Sequence, residues 1–237
     1  MDGRRHDRLW RFVVDRVGRR GFAGWAGVVV EVAVEQVDVD AAAISLRYGG
    51  RTQELTAASG EWAQRLEELQ YTVGEGPGVD SFVSGGPVLV SDLAVEDGRW
   101  PGFTDVALTD GLSAVFAFPL QGGAIRMGSL DLYRRRAGGL SSAGLADAAA
   151  LADLATTALL VDSSGTATQL APWARDNAPG HYDEVNVATG MLAAELRISV
   201  EDAFMRLRAH AFGNDQQLLE VARAVLSRSL TADAFQD

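Results

Sequence analysis

Apolar positions recur at helical spacing over residues 7–17, where Leu9, Trp10, Val13, Val14 and Val17 share one stripe. A second helix is expected over 23–37. The period then shortens to two. Ile44, Leu46 and Tyr48 lie on one face of a strand over 43–48, and another strand follows over 52–58. Gly49-Gly50 between them reads as a hairpin loop. A helix is expected over 61–69. A second strand pair, 114–120 and 127–133, is joined through Gly122-Gly123. Residues 141–161 read as a long helix, with Leu145, Ala149, Ala152, Ala155 and Leu159 along its stripe. Helices at both ends with hairpin-linked strands between them predict an α+β domain built on an antiparallel sheet, spanning 1–162.

Periodicity is lost over 163–180, which holds Ser163, Ser164, Gly165, Pro172 and Pro179 and reads as a linker or an ordered excursion. Trp173 within it is expected to dock on a neighbouring domain. Helical spacing returns over 181–237 as three short helices, a small all-α module. Val185, Ala188, Leu192 and Leu196 form the first stripe. Ser199 with Asp202 has the form of a capping box that opens the second helix, and Ala203, Phe204, Leu207 and Ala211 are its inward positions. The third helix is expected to start near Asn214, with Gln217 completing another capping box. Leu218, Val221, Ala222 and Val225 finish this core.

Composition narrows the chemistry. The chain of 237 residues is 47% hydrophobic, enough for one large core and a smaller second one. No apolar run reaches the roughly 20 residues that span a bilayer, and a cytoplasmic location is expected. There is no cysteine and no lysine; all 21 basic residues are arginine. Thiolate and Schiff-base chemistry are therefore excluded. The net charge of −11 argues against a broadly basic nucleic-acid binder. Arg4, Arg5, Arg8, Arg11, Arg16, Arg19 and Arg20 surround the first apolar stripe and read as a solvated helix face. Arg134-Arg135-Arg136 reads likewise as an exposed strand end. His6, His181 and His210 are too scattered for a metal cluster or a triad, and Asp92 with Asp97 is a weak acid/base pair. No enzyme and no cofactor are expected.

The phrases Gly74-Glu75-Gly76-Pro77-Gly78, Ser91-Asp92-Leu93, Arg99-Trp100-Pro101-Gly102-Phe103, Phe118-Pro119-Leu120 and 128–133 (G-S-L-D-L-Y) occur in an order that resembles a GAF domain. The resemblance covers about 23–161 and looks like the sensor half of actinobacterial GAF–ANTAR regulators. It implies a small-molecule or signal-sensing fold. Where such relatives often carry cysteine, this chain has Gly78. Read from the residues alone, the glycine-rich stretch is a turn that opens a helix with Pro77 at its first position. Trp100, Phe103 and Phe116 are candidate walls of an apolar ligand cavity, or ordinary core.

The tail resembles an ANTAR module, a small helical RNA-binding unit of bacterial antiterminators. Its phrases here are Ala188-Thr189-Gly190-Met191 and Ala203-Phe204 with Leu207-Arg208, while the family's Asn-Arg-Lys-Leu is replaced by Asp215-Gln216-Gln217-Leu218, a departure in which two cations have become amides and asparagine has become aspartate. The resemblance implies binding of paired RNA stem-loops and promotion of antitermination. It points to Ala188, Thr189, Gly190, Arg206, Arg208, Gln216 and Gln217 as RNA contacts, with Arg208 foremost. Arg208 could equally pair with Glu201 or Asp202 on its own helix. A glycine at 190 in mid-helix invites a close approach by another helix or by RNA. Charge tempers the expectation: five arginines face nine acids over 181–237. The long helix and the arginine-rich N-terminal helix are natural elements of a homodimer. The alternative is a ligand-sensing or protein-interaction regulator whose tail does not bind RNA tightly.

Overall fold

The computed structural model describes residues 2–20, 25–48, 52–96, 98–164 and 182–236. Helices α1 (Asp2–Arg20) and α2 (Trp25–Gln36) lead into β1 (Ala41–Tyr48) and β2 (Thr52–Ala58). Then come α3 (Glu61–Val73), α4 (Pro77–Ser84), the short β3 (Val88–Val90), a 3-10 turn (Leu93–Val95) and α5 (Pro101–Thr109). The hairpin β4 (Ala114–Gly122) and β5 (Ile125–Arg134) precedes α6 (Ser142–Ser164). The sheet has five antiparallel strands in the order β2-β1-β5-β4-β3. The expected α+β architecture is therefore present, with β3 and α5 added. β3, at three residues, is too short to show a period. The Gly49-Gly50 loop and Trp173 lie outside the described residues.

Both faces of the sheet are covered, so most β4 residues of either parity are apolar and buried. On the outer face, Ile44, Leu46, Phe116, Phe118, Leu130 and Leu132 pack under α1, α2 and α6. α2 is Val-rich, yet it is a helix. Its Val28, Val29, Val30 and Val32 are all buried, and burial outweighs their weak helix propensity. On the inner face, Ala43, Val115, Ala117 and Tyr133 pack under Leu66, Trp100 and Phe103. β1 and β5 approach closely because Gly128 lacks a side chain. A Cβ there would lie 2.0 Å from the Ser45 carbonyl oxygen.

Two expected features differ. In α6 the buried stripe is Ala148, Leu151, Ala152, Ala155 and Leu159, and Ala149 is exposed. Arg134 is not a solvated strand end but 2% exposed. Its guanidinium donates to the carbonyls of Asp38 and Gly138 and lies over Phe116. Arg136 pairs with Asp38, and Arg135 lies 3.8 Å over the Trp62 ring. The run fastens the end of β5 to the loop before β1. Near the N-terminus, Arg5 and Arg8 converge on Asp147 of α6, so part of the arginine face is packed against that helix.

The tail forms α7 (Asp183–Leu196), α8 (Val200–Gly213), α9 (Leu218–Leu226) and a closing 3-10 turn (Ala232–Phe235). Ser199 caps α8 by accepting from the Asp202 amide at 3.0 Å, as the capping box predicts. The third helix starts four residues later than expected. Asp215 adopts φ 52°, in the left-handed region, and Gln217 is an N-cap without a side-chain bond. Val185, Ala188, Leu192, Ala203, Leu207, Leu218, Val221 and Val225 build this module's own core. No helix among the described residues is long and apolar enough to cross a membrane.

Candidate functional site

The inner face of the sheet is apolar at one end and polar at the other. Alternation along β1 places Ser45 and Arg47 on the side opposite Ile44 and Leu46. Alternation along β5 does the same for Ser129, Asp131 and Tyr133. Register sets Ser45 beside Ser129 and Ala43 beside Asp131. Helix α3 lies across this end and lowers Glu67 and Gln70 onto it.

The side chains form one buried network. The Tyr133 hydroxyl donates to Glu67 Oε1 and the Ser45 hydroxyl to Glu67 Oε2, both at 2.6 Å. Gln53 from β2 donates to Ser45 Oγ and Glu67 Oε2 at 3.1 and 3.2 Å. Gln70 Nε2 donates to Asp131 Oδ2 and to the Tyr133 hydroxyl, each at 3.0 Å. The Gln70 carbonyl oxygen Oε1 accepts from the Gly78 amide at 2.8 Å. Burial pushes the Asp131 carboxyl well above the usual carboxylate range, and the neighbouring Glu67 carboxyl raises it further. Gln70 and Arg47 act in the opposite direction but do not prevail.

Among the described residues, several buried polar atoms here have no hydrogen-bond partner: Nε and Nη2 of Arg47, Oγ of Ser129 and Oε1 of Gln53. Leaving such groups unmet costs about 1–3 kcal/mol each. A cation, a hydroxyl and an amide oxygen with unused capacity suit a small polar ligand that both accepts and donates hydrogen bonds. This cluster went unnoticed in the sequence because each residue is ordinary alone. The available signal was the polar parity of β1 and β5, two strands whose opposite parity is apolar.

Trp100, Phe103 and Phe116 do not line one cavity. Trp100 and Phe103 belong to the inner core, edge to face at 6.4 Å, whereas Phe116 lies on the outer side of the sheet. The Trp100 indole N–H donates to Asp80 at 3.2 Å, fixing α5 to α4. All three are core residues, separated by the sheet itself. Asp92 accepts from the Ala94 amide and caps the 3-10 turn; Asp97 lies outside the described residues.

The three-helix module docks on α3. Tyr71 of α3 stacks on Tyr182 at 4.2 Å and on Phe204 of α8 at 5.4 Å. Phe204 is only half-buried, because it packs on Tyr71 rather than inside the module. Arg208 Nε donates to the Thr72 carbonyl, and its guanidinium covers Phe204 and rests against Gly74. Desolvation lowers its pKa. The pairing with Glu201 or Asp202 considered from sequence is not the one formed. Clefts of about 540 and 510 Å³ flank this seam. Gln216 and Gln217 line the first, and Glu75, Met205 and Arg208 the second.

The other expected RNA contacts scatter. Ala188 is fully buried, and the Thr189 hydroxyl is spent on the Val185 carbonyl at 2.7 Å. Arg206 donates to the Phe235 carbonyl, and His210 stacks on the Phe235 ring. Only Gly190, Gln216 and Gln217 of the seven are exposed. Among the described residues nothing lies within 4 Å of an added Cβ at Gly190, so no described helix explains the glycine. Gly190→Ala is expected to stabilise the module by about 0.5–1 kcal/mol in urea unfolding. A loss of stability would show that a helix does approach it.

A family model described as the GAF domain matches residues 26–159. No curated protein sequence matches the chain. Among solved structures, the GAF domain of a phosphoenolpyruvate-protein phosphotransferase from Coxiella burnetii is 14% identical, with a TM-score of 0.53, covering 67% of this chain and 94% of that one. The corresponding Acinetobacter domain is 15% identical with a TM-score of 0.52, covering 69% and 97%. A free methionine-R-sulfoxide reductase from Neisseria meningitidis, solved with its substrate, is 13% identical with a TM-score of 0.52, covering 67% and 89%. At these identities the likeness is one of fold.

Proposed function

This chain belongs to the GAF domain family, and on that premise we propose that it is a non-catalytic, signal-responsive regulator whose three-helix module binds RNA. The polar end of the sheet's inner face takes a small ligand. The module then acts on paired RNA stem-loops and promotes transcription antitermination. The observation that carries the reading is the shared helix. α3 presents Glu67 and Gln70 to the buried polar network on one side, and Tyr71 and Thr72 to the module on the other. A ligand and an output unit touching one helix is the arrangement a sensor requires. The ANTAR-like phrases supply the RNA assignment. Exposed Trp10, Phe12 and Val14 on α1 support a homodimer through that helix.

A second reading has its own observation. Arg206 and Arg208 are engaged within the chain, which favours a ligand-sensing or protein-interaction regulator without tight RNA binding. Titrating tandem RNA stem-loops with the full chain and with Arg208→Ala separates the two. RNA regulation predicts binding at low salt, weakened in the variant. With about three phosphate contacts, its slope of log K against log salt is roughly −2 to −3. Negligible binding by both proteins in low salt would establish the second reading.

A further inference from the structure

The glycine-rich segment 74–78 touches the buried network on one side and the three-helix module on the other. On the network side, the Gly78 amide donates to Gln70 Oε1 at 2.8 Å. An added Cβ at Gly78 would lie 2.0 Å from Asp131 Oδ2, and one at Gly76 would lie 2.5 Å from Gln70 Oε1. On the module side, Gly74 closes α3 in the left-handed conformation, φ 72°, with its amide on the Gln70 carbonyl at 2.9 Å. The Arg208 guanidinium occupies the space where its side chain would be. An added Cβ there would lie 1.9 Å from Nη2. Between the two, the Glu75 carboxylate accepts from the Gly102 amide at 2.5 Å, at the start of α5. The segment is thus held at both ends and in the middle, by groups from different elements.

We propose that segment 74–78 is a mechanical coupler that ties the Gln70–Asp131 contact in the sheet domain to the Arg208 latch on α8. A displacement of Gln70, or of the Asp131 carboxyl that holds the Gln70 amide, moves the acceptor of the Gly78 amide. With Glu75 fixed at α5, the segment pivots and carries Gly74 out from under Arg208. The guanidinium then loses the surface that shields it, and the Thr72 carbonyl loses its alignment. The latch opens, and the Tyr71–Phe204 face separates. In the closed state described here, Arg208 is withheld from any partner of the module. This inference rests on the reading that the polar face is where the signal enters, but the coupling itself needs no ligand. Two sites linked by one segment must also act on each other reciprocally.

Hydrogen exchange followed by NMR on the full-length, ligand-free protein tests it from both ends. Arg208→Gln perturbs only the module side and is expected to speed exchange of the Gly78 amide by about fivefold or more, the lower range of coupling between sites. Gly78→Ala perturbs only the network side and is expected to speed exchange along 205–212 of α8 by a similar factor. In the double variant the two effects do not multiply, because each single variant already breaks the link between the two sides. The proposal is overturned if Arg208→Gln leaves the Gly78 amide within about twofold of the wild type. It is also overturned if Gly78→Ala leaves α8 unchanged while β4 and β5 stay protected. Should Gly78→Ala collapse protection in β4 and β5, the Arg208→Gln arm decides alone. Failure of the coupling leaves ligand sensing intact, and absence of a ligand leaves the coupling result standing.

Discussion

Gly128→Ala is expected to destabilise the sheet domain by about 3 kcal/mol, the upper end for an overpacked site. The added methyl would meet the Ser45 carbonyl oxygen at 2.0 Å and the Leu46 Cα at 2.9 Å. Both are backbone, so relief requires moving β1 away from β5. That shift would break the central strand pairing and disturb the network through Ser45. Urea unfolding of the full chain, followed through the sheet domain, measures it. A loss below about 1 kcal/mol would show that β1 yields cheaply, and that the close approach is incidental.

Asp131→Asn is expected to remove a pH dependence rather than simply weaken the protein. Asp131 has a raised pKa in the folded chain, because burial and the neighbouring Glu67 oppose its charge. The folded state therefore holds a proton that the unfolded state releases from about pH 4 upward. Stability contributed by this group is complete below that pH and is lost as pH rises toward the folded value. The slope is at most about 1.4 kcal/mol per pH unit for one proton. Asparagine keeps an acceptor for Gln70 and cannot ionise. The difference in stability between variant and wild type should thus grow in the variant's favour from about pH 4 toward neutrality. A difference that stays constant over that range would mean Asp131 ionises normally in the fold. Carboxylates shifted the other way, such as Asp38 held low by Arg136, are common to both proteins and cancel in the comparison.

Much of the candidate site was readable only in outline. The phrase 74–78 reads from its residues as a turn into a helix, and Pro77 does take the first position of α4. Its second role, as the surface on which Arg208 lies, involves a residue more than a hundred positions away and leaves no local trace. The aromatic trio failed for a related reason. Phe116 and Phe103 are equally apolar in sequence, but the sheet runs between them. Arg208 was singled out by its phrase, yet half the information about an arginine is what it faces. Here that is the end of α3.

By itself the sequence determined the α+β class, the order of the main helices and strands, the capping of α8 and the separate three-helix core. These follow from periodicity, caps and glycine positions, which act over a few residues. It also bounded the chemistry, through the absence of cysteine and lysine. Tertiary structure alone decided which polar residues share a buried face and that Arg134 is an internal anchor. It also decided that Arg206, Arg208 and Arg223 of the module are engaged within the chain. Hydrogen bonds and desolvation depend on what distant strands and helices bring within about 3 Å, a relation no window of sequence contains.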